Sequence, residues 1–231
     1  MLAARGVPQR LVVRDPSRAP ELDGADVVAA SFEDESAMRT ALAGVDTLFL
    51  ISAPESADRM PVHRSAVRAA TAAGVSRTVH TSFMGASPQA TFTFAREHSL
   101  TEQLIVESGL GVTALRSSLY ADEVPDLVQD GVIRGPAGRG RVAWVTRHDI
   151  ARWAAETLLD TVHADHVYDV SGPAPIDLHE TARILSTVIG RTISYLAETD
   201  DEARASRAVP RSGRSPGGPA PTGASPPVRS R

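Results

Sequence analysis

His98 and Glu102, two residues with acid–base side chains, lie four positions apart in a segment whose apolar residues recur with helical spacing. On a helix this spacing brings both side chains to one face, where the carboxylate could orient the imidazole. An imidazole held in this way could donate a proton to a reacting group. The alternative is a pair on the helix surface that stabilises the helix by roughly a few tenths of a kcal/mol.

The composition restricts the chemistry that such residues could perform. All 24 basic residues are arginine, which excludes lysine relays and Schiff bases. Cysteine is absent, which excludes thiolate catalysis and disulfides. The net charge of −4 gives no electrostatic reason to expect nucleic acid, and no stretch approaches the roughly 20 apolar residues of a membrane span. We therefore expect a cytoplasmic protein with neither a membrane nor a nucleic-acid partner. His163, Asp165 and His166 are close in sequence but typical of an exposed loop, so no metal site is expected.

The elements that position these residues follow from the alternation of apolar runs with helical patterns, which is typical of a parallel sheet covered by helices. Strands are predicted over residues 10–14, 26–30, 46–51, 77–81, 111–116, 166–171 and 193–196, and helices over 33–42, 62–73, 94–108, 150–159 and 178–190. Asp149 is the predicted N-cap of the helix over 150–159. The pattern predicts an α/β fold, a Rossmann-like doubly wound parallel sheet with a small substrate lobe. We assign residues 1–118 to the Rossmann-like part and 119–204 to the lobe and the remaining sheet elements.

The beginning of the chain resembles the middle of a dinucleotide-binding βαβ unit. Residues 1–9 have the pattern of a helix end with a turn at Gly6, and residues 10–14 that of the second strand of such a unit. We therefore expect the sheet to lack its first strand and the glycine-rich loop that binds pyrophosphate. The neighbours of a missing central strand would have unpaired backbone groups, which predicts self-association into a homo-oligomer.

The residues at the ends of the predicted strands are candidates for a ligand site, because open α/β sheets bind ligands at the carboxyl ends of their strands. Arg14 stands where an acidic residue would bind the ribose of NAD; its guanidinium could instead pair with the 2′-phosphate of NADP, with Arg18 as a second contact. Asp15 keeps NAD open, and a solvated turn is the alternative. The strand over 46–51 leads into a second group of candidates, Ile51, Ser52, Ala53 and Pro54.

Five short segments occur in the order seen in one known family. These segments are Leu11–Pro16, Phe49–Ser52, His80–Phe83, His98–Glu102 and Thr113–Ser117. Their series resembles the NmrA-like atypical short-chain dehydrogenases, and within them the NAD(P)H:quinone oxidoreductase type 2 group. The resemblance favours NADP over NAD as the cofactor. It implies that Ser52 and its neighbours line the ribose and nicotinamide.

The resemblance also assigns roles to individual residues. It places Ser31 and Phe32 at the adenine edge, where the alternative is an N-cap and a core phenylalanine. It places Ser82 where short-chain dehydrogenases carry a catalytic serine, although their Tyr-x-x-x-Lys pair is excluded because the chain has no lysine. Ser82 could bond the substrate or the nicotinamide amide, and Phe83 could pack against the ring; a strand-end hydroxyl and a core ring are the alternatives. Tyr120 could shape the substrate pocket or simply pack within the lobe.

The function that the resemblance implies is hydride transfer from NAD(P)H to a small acceptor such as a quinone or an azo compound, with His98 supplying a proton. A non-catalytic redox sensor that binds the dinucleotide and signals to a protein partner is the alternative from another class. An incomplete, inactive relative is a third hypothesis. Turnover with an acceptor separates the first from the other two.

The composition changes at about Ala205. Residues 207–231 contain no acidic and no aromatic residue and are rich in arginine, proline, glycine and serine. Such a segment cannot bury enough apolar surface to order itself. The stretch from 205 to 231 is therefore predicted to be either a basic disordered tail or a segment read in a shifted frame.

Overall fold

Residues 1–208 are described by the computed structural model. They form eleven strands, β1 (Gln9–Val13), β2 (Ala25–Ala29), β3 (Thr47–Leu50), β4 (Arg77–Phe83), β5 (Gly111–Ser117), β6 (Val128–Gln129), β7 (Val132–Gly135), β8 (Arg141–Val142), β9 (Val167–Val170), β10 (Ile176–Asp177) and β11 (Ser194–Ala197). The α-helices of this part are α1 (Glu35–Ala41), α2 (Arg59–Ala72), α3 (Thr93–Glu107), α4 (Arg147–Leu159), α5 (Leu178–Ile189) and α6 (Asp200–Ala208). Each predicted strand and helix is present, with ends shifted by at most three residues. The α/β class is confirmed.

A four-stranded parallel sheet in the order β3–β4–β5–β9 forms the centre of the fold. Side chains alternate between its two faces along each strand. Leu50 and Ile105 belong to a core between one face and the helices α1, α2 and α3. Val79, Leu115 and Ala154 pack on the other face, beneath α4. Cover on both faces explains the nearly continuous apolar run of β3.

The strands β1 and β2 form a separate parallel pair. Among the described strands, β1 pairs only with β2, and β3 pairs only with β4. Arg10 instead ties β1 to the end of α1, donating to the carbonyl oxygens of Ala41 and Ala43 at 3.0 Å each. The prediction of a Rossmann-like parallel sheet is confirmed, and β1–β2 forms a sheet separate from β3–β4–β5–β9.

The second part of the chain adds two small sheets, β11–β7–β6 and β8–β10. Helix α5 packs on the first of them, and Ile133, Ala182 and Tyr195 are buried between the two. The Tyr195 hydroxyl donates to the carbonyl oxygen of Gly135 at 2.7 Å, so the buried phenol group has a hydrogen-bond partner. Helix α6 crosses the predicted tail boundary at 205, and residues 209–231 of the predicted tail lie outside the described residues.

The predicted N-cap Asp149 is wrong, and so is the alternative that Ser31 is an N-cap. Helix α4 starts at Arg147 after Thr146, whose hydroxyl oxygen accepts from the backbone N–H of Asp149 at 3.0 Å. Asp149 lies in the first turn, where its negative charge is attracted to the positive end of the helix dipole. Helix α1 is capped by Asp34, which accepts from the backbone N–H of Ala37 at 2.9 Å, and not by Ser31.

Candidate functional site

A cavity of about 670 Å³ opens at the carboxyl edge of the central sheet. It is lined by the last residues of β4, by the residues that follow β3 and β5, and by the first turns of α3 and α4. Eight predicted site residues line it: Ile51, Ser52, Ala53, Pro54, Ser82, Phe83, His98 and Tyr120. They come together because parallel strands end at the same edge of a sheet.

The turn after β3 forms one side of the cavity and is fixed by hydrogen bonds. The backbone N–H of Ser52 donates to the Thr81 hydroxyl oxygen at 2.8 Å, and the Ser52 hydroxyl donates to the Thr81 carbonyl oxygen at 2.6 Å. The backbone N–H of Ala53 donates to His63 Nε2 at 2.9 Å, and its carbonyl oxygen accepts from Arg59 Nε at 2.9 Å. Four hydrogen bonds therefore preorganise this turn: three to the side chains of Thr81, His63 and Arg59, and one to the Thr81 backbone.

An aromatic wall, formed by Phe83, Phe92 and Phe94, lines another side of the cavity. Its ring centroids lie 5.5 to 5.9 Å apart, within the range of favourable aromatic contacts. Phe92 is 50% exposed, so its ring presents apolar surface to the opening. Phe92 and Phe94 were not predicted as site residues; the alternation Thr91-Phe92-Thr93-Phe94 ahead of a helix was the available signal.

The predicted pairing of His98 with Glu102 is wrong. Glu102 accepts two hydrogen bonds from Arg116, from Nε at 2.9 Å and from Nη2 at 2.6 Å. The Ser82 hydroxyl donates to the same carboxylate at 2.5 Å. A bidentate guanidinium is a stronger partner for a carboxylate than an imidazole, and Arg116 reaches Glu102 from the neighbouring strand β5. Ser82 is therefore tied to this ion pair at the edge of the cavity.

His98 is only 3% exposed and is held by an arginine instead. Arg59 Nη2 lies 3.0 Å from His98 Nε2. Because a guanidinium can only donate, Nε2 must be the acceptor and the ring proton is on Nδ1. Burial, reinforced by the charge of Arg59, lowers the pKa of His98 to about 2. The imidazole is uncharged at neutral pH, and it is therefore a hydrogen-bonding group there and not an acid.

The four predicted adenosine-side residues lie outside the lining of this cavity. Arg14 and Arg18 are exposed beyond the carboxyl end of β1. Asp15 accepts from the backbone N–H of Ser17 at 3.0 Å and caps a single helical turn. Ser31 donates to Glu33. Phe32 packs against the core beneath α1 and α2, which supports the alternative of a core phenylalanine.

Tyr120 lies at the boundary between the sheet and the lobe. Its hydroxyl is 3.5 Å from the Ser117 hydroxyl oxygen, and the guanidinium carbon of Arg147 lies 5.2 Å from its ring centroid. Arg147 also pairs with Glu123 at 2.7 Å. The placement of Tyr120 in the cavity wall agrees with its predicted position, while its contact with a substrate stays a prediction.

Two further classes of site were searched for in residues 1–208. No group of three or more histidine, cysteine, aspartate or glutamate residues in this range could hold a metal ion. Within the same range, none of the helices has the length and apolar character needed to cross a membrane.

A profile of the NAD(P)H-binding family matches residues 1–161. The chain belongs to this family. Quinone oxidoreductase 2 of Escherichia coli K12 is 36% identical over 197 residues, which are 82% of this chain and 68% of the relative. The NAD(P)H azoreductase of Xenophilus azovorans is 29% identical over 210 residues, 88% of this chain and 73% of the relative. The resemblance to NmrA-like reductases is confirmed.

A solved structure shows the same fold. The NADPH-dependent quinone oxidoreductase of Escherichia coli, in complex with NADPH, superposes with a TM-score of 0.81 and 32% identity. The match covers 90% of this chain and 77% of that one. The NAD(P)H-binding family and this NADPH complex support NADP as the cofactor, as predicted.

Proposed function

We propose that the chain is an NADPH-dependent reductase whose acceptor is a quinone or an azo compound. The observation that carries the proposal is the cavity at the carboxyl edge of the sheet, which is lined by both a fixed turn and an aromatic wall. Relatives named as quinone oxidoreductase and azoreductase support the same reaction. A chain without cysteine fits the cytoplasm as the compartment.

The side chains beyond β1 fit an NADP phosphate. Arg14 and Arg18 present exposed guanidinium groups, which pair with phosphate oxygens in bidentate fashion. Asp15 is the residue that would favour NAD. Its carboxylate accepts hydrogen bonds from the backbone N–H and the hydroxyl of Ser17, which hold the pKa of Asp15 below its usual range. The turn Ser52–Pro54 would hold the ribose and nicotinamide side. When bound, NADPH supplies the hydride that reduces the acceptor.

The aromatic wall suits a planar acceptor. Phe92 and its neighbours offer ring faces and edges on which a quinone or an azo-linked ring can stack, and this burial excludes water from one side of it. Ile51 adds a further exposed apolar side chain at the mouth of the cavity.

The side chains in the cavity that could donate a proton also favour a quinone as the acceptor. His98 is uncharged, Ser82 donates to Glu102, and Arg147 is paired with Glu123. A reduced quinone needs little help from the protein, because its phenolate oxygen can be protonated by water. The predicted catalytic roles of His98 and Ser82 therefore reduce to positioning and hydrogen bonding of the acceptor or nicotinamide, which remains a proposal.

Acceptor-dependent oxidation of NADPH tests this function. A benzoquinone, a naphthoquinone and an azo dye are each added to the purified chain with NADPH, and the loss of nicotinamide absorbance is followed. We expect saturable oxidation with at least one acceptor. Binding of NADPH with no oxidation by any of them would contradict a reductase and agree with a redox sensor.

A matched pair of variants tests the aromatic wall. Phe92→Ala removes half-exposed apolar surface from the cavity, and we expect the acceptor KM to rise about threefold to tenfold. Leu100→Ala removes an exposed apolar side chain from α3, the helix that begins after Phe92; Leu100 lies outside the cavity lining, and the acceptor KM should stay unchanged. Equal KM values for both variants would place the acceptor elsewhere.

A further inference from the structure

Arg59 is a cation in the interior of the fold. It is the first residue of α2, and its side chain has no exposed surface. Nη1 donates to the Glu97 carboxylate at 3.2 Å, Nη2 to His98 Nε2 at 3.0 Å and Nε to the Ala53 carbonyl oxygen at 2.9 Å. The guanidinium carbon lies 4.5 Å from the centroid of the Phe94 ring. Each of the three guanidinium nitrogens thus has a hydrogen-bond partner, and one face of its plane packs against a ring.

Stability alone does not explain a buried guanidinium here. Removing a cation from water has a large free-energy cost, and an apolar side chain of similar volume would usually fill such a position at least as well. The cost is visible in the Arg59 pKa, which burial lowers from its usual range despite the nearby Glu97. Glu97 is itself partly exposed, with 22% of its side-chain surface accessible, so it is not the group that requires Arg59.

The other contacts of Arg59 all lie in the cavity wall. Ala53 belongs to the turn after β3, while Phe94 and His98 belong to α3, and all three residues line the cavity. Arg59 itself is not among the lining residues. From α2, Arg59 therefore connects the turn to the aromatic wall, next to His63, which joins the same turn to Thr101 of α3.

We propose that Arg59 is a positioning residue of the reductase site, one that holds the Ser52–Pro54 turn, Phe94 and His98 in their binding arrangement. The proposal rests on the proposed function and adds a residue that acts through others. Its three N–H donors fix the distance between α3 and the turn. Because it can only donate, it also fixes the imidazole of His98 in the Nδ1–H tautomer.

Three substitutions on α2 test this role. Arg59→Met keeps the volume and removes the charge and the donors. Arg59→Ala leaves room for a free guanidinium ion. Arg68→Met is the matched control, because Arg68 lies on the same helix but is exposed and pairs with Glu35 away from the cavity. Each variant is compared with the wild type in thermal unfolding and in the KM values for NADPH and for a quinone.

We expect Arg59→Met to unfold at a temperature similar to that of the wild type, while its KM for NADPH or for quinone rises about tenfold or more. We expect millimolar guanidinium, but not sodium at the same ionic strength, to restore part of the activity of Arg59→Ala. Arg68→Met should behave as the wild type. Such a separation of binding from stability would not arise if Arg59 served only the fold.

A folded Arg59→Met with wild-type KM values would overturn the proposal. So would activity losses that follow the unfolded fraction, without rescue by guanidinium. If neither substitution yields a folded protein, Arg59→Lys decides: it keeps the cation but cannot reach Ala53 and His98 together, so a wild-type KM in this variant would overturn the proposal and a raised KM would support it.

The nitrogen spectrum of His98 separates this proposal from the proposed function. The wild type should show a protonated Nδ1 and an unprotonated Nε2, and Arg59→Met a mixture of the two tautomers. This readout does not need turnover. If none of the acceptors leads the wild type to oxidise NADPH, the proposed function fails. An unchanged His98 spectrum in Arg59→Met would independently contradict the role of Arg59.

Discussion

Three histidine side chains, His63, His80 and His98, form a buried row beside the cavity, with neighbouring ring centroids 6.0 and 6.2 Å apart. Burial, followed for His63 and His98 by the charge of Arg59, lowers their pKa values to about 3, about 4 and about 2. The neutral rings still serve as hydrogen-bond partners: His63 accepts from Ala53 N–H, and His80 Nδ1 lies 3.2 Å from the carbonyl oxygen of Leu50. At the residue scale these three histidines are therefore neutral, fixed contacts of the site.

These histidines predict a loss of stability in acid. Their folded-state pKa values lie below the ordinary 6.5, so the unfolded chain binds protons that the folded chain does not. Stability from this source is complete above about pH 6.5 and decreases as the pH falls towards about 4, by up to about 1.4 kcal/mol per pH unit for each histidine. Urea unfolding across this range measures the slope.

A pair of variants tests whether His80 contributes to the pH dependence of the free energy of unfolding. His80→Asn retains a donor for the Leu50 carbonyl and removes a titrating ring, so the free energy of unfolding should depend less steeply on pH. His166→Asn changes an exposed histidine and should leave the slope as in the wild type. An equally steep slope in His80→Asn would mean that this ring is not the source.

Arg14 gives a residue-scale prediction about the cofactor. Arg14→Ala should weaken binding of NADPH about tenfold, because a charge-assisted contact to the 2′-phosphate is lost, and should leave NADH binding unchanged. Nicotinamide fluorescence titrations measure both affinities. Arg39→Ala, which removes another exposed arginine, is the control. Equal losses for NADPH and NADH would exclude a phosphate contact by Arg14.

At the scale of elements, the sequence predicts what depends on neighbours along the chain. The apolar run of β3 and the helical spacing in α2 and α3 are local patterns, and their elements lie where expected. The strand-end residues Ser52 and Ser82 could be predicted to meet, because strand ends share an edge.

The contacts that complete the site depend instead on how α2 packs against α3. Arg59 and His98 are 39 positions apart, and no spacing in the sequence pairs them. The same is true of Glu102 and Arg116, whose pairing displaced the predicted pair with His98. Residues on different elements compete for one partner, and only tertiary packing decides that competition.

Helix α4 allows a test of the corrected cap. Thr146→Ala removes the hydroxyl oxygen that accepts from Asp149 N–H, and we expect the free energy of unfolding to fall by about 1 kcal/mol. Thr146→Ser keeps the oxygen and should retain most of that stability. Denaturant unfolding compares the two. If the two variants are equally stable, the hydroxyl does not cap the helix.

At the scale of the whole molecule, the separation of β1–β2 from β3–β4–β5–β9 leaves two strand edges that are unpaired with any other described strand. Unpaired N–H and C=O groups on a strand edge favour pairing with another chain. The chain is therefore predicted to self-associate.

Light scattering during size-exclusion chromatography tests this prediction. We expect a mass above that of the monomer that rises with concentration. The control is Leu196→Lys, which adds a charge to a different exposed strand, β11, and should leave the association unchanged. A monomer at all concentrations would contradict the prediction, and a monomer only in Leu196→Lys would move the contact to β11.

The measurement that tests the central claim most directly is the steady-state rate of quinone reduction with NADPH and with NADH. The account predicts quinone-dependent oxidation of NADPH, with a kcat/KM about tenfold or more above that with NADH, because Arg14 and Arg18 are exposed to receive the 2′-phosphate. A folded chain that oxidises neither cofactor in the presence of quinone would contradict it.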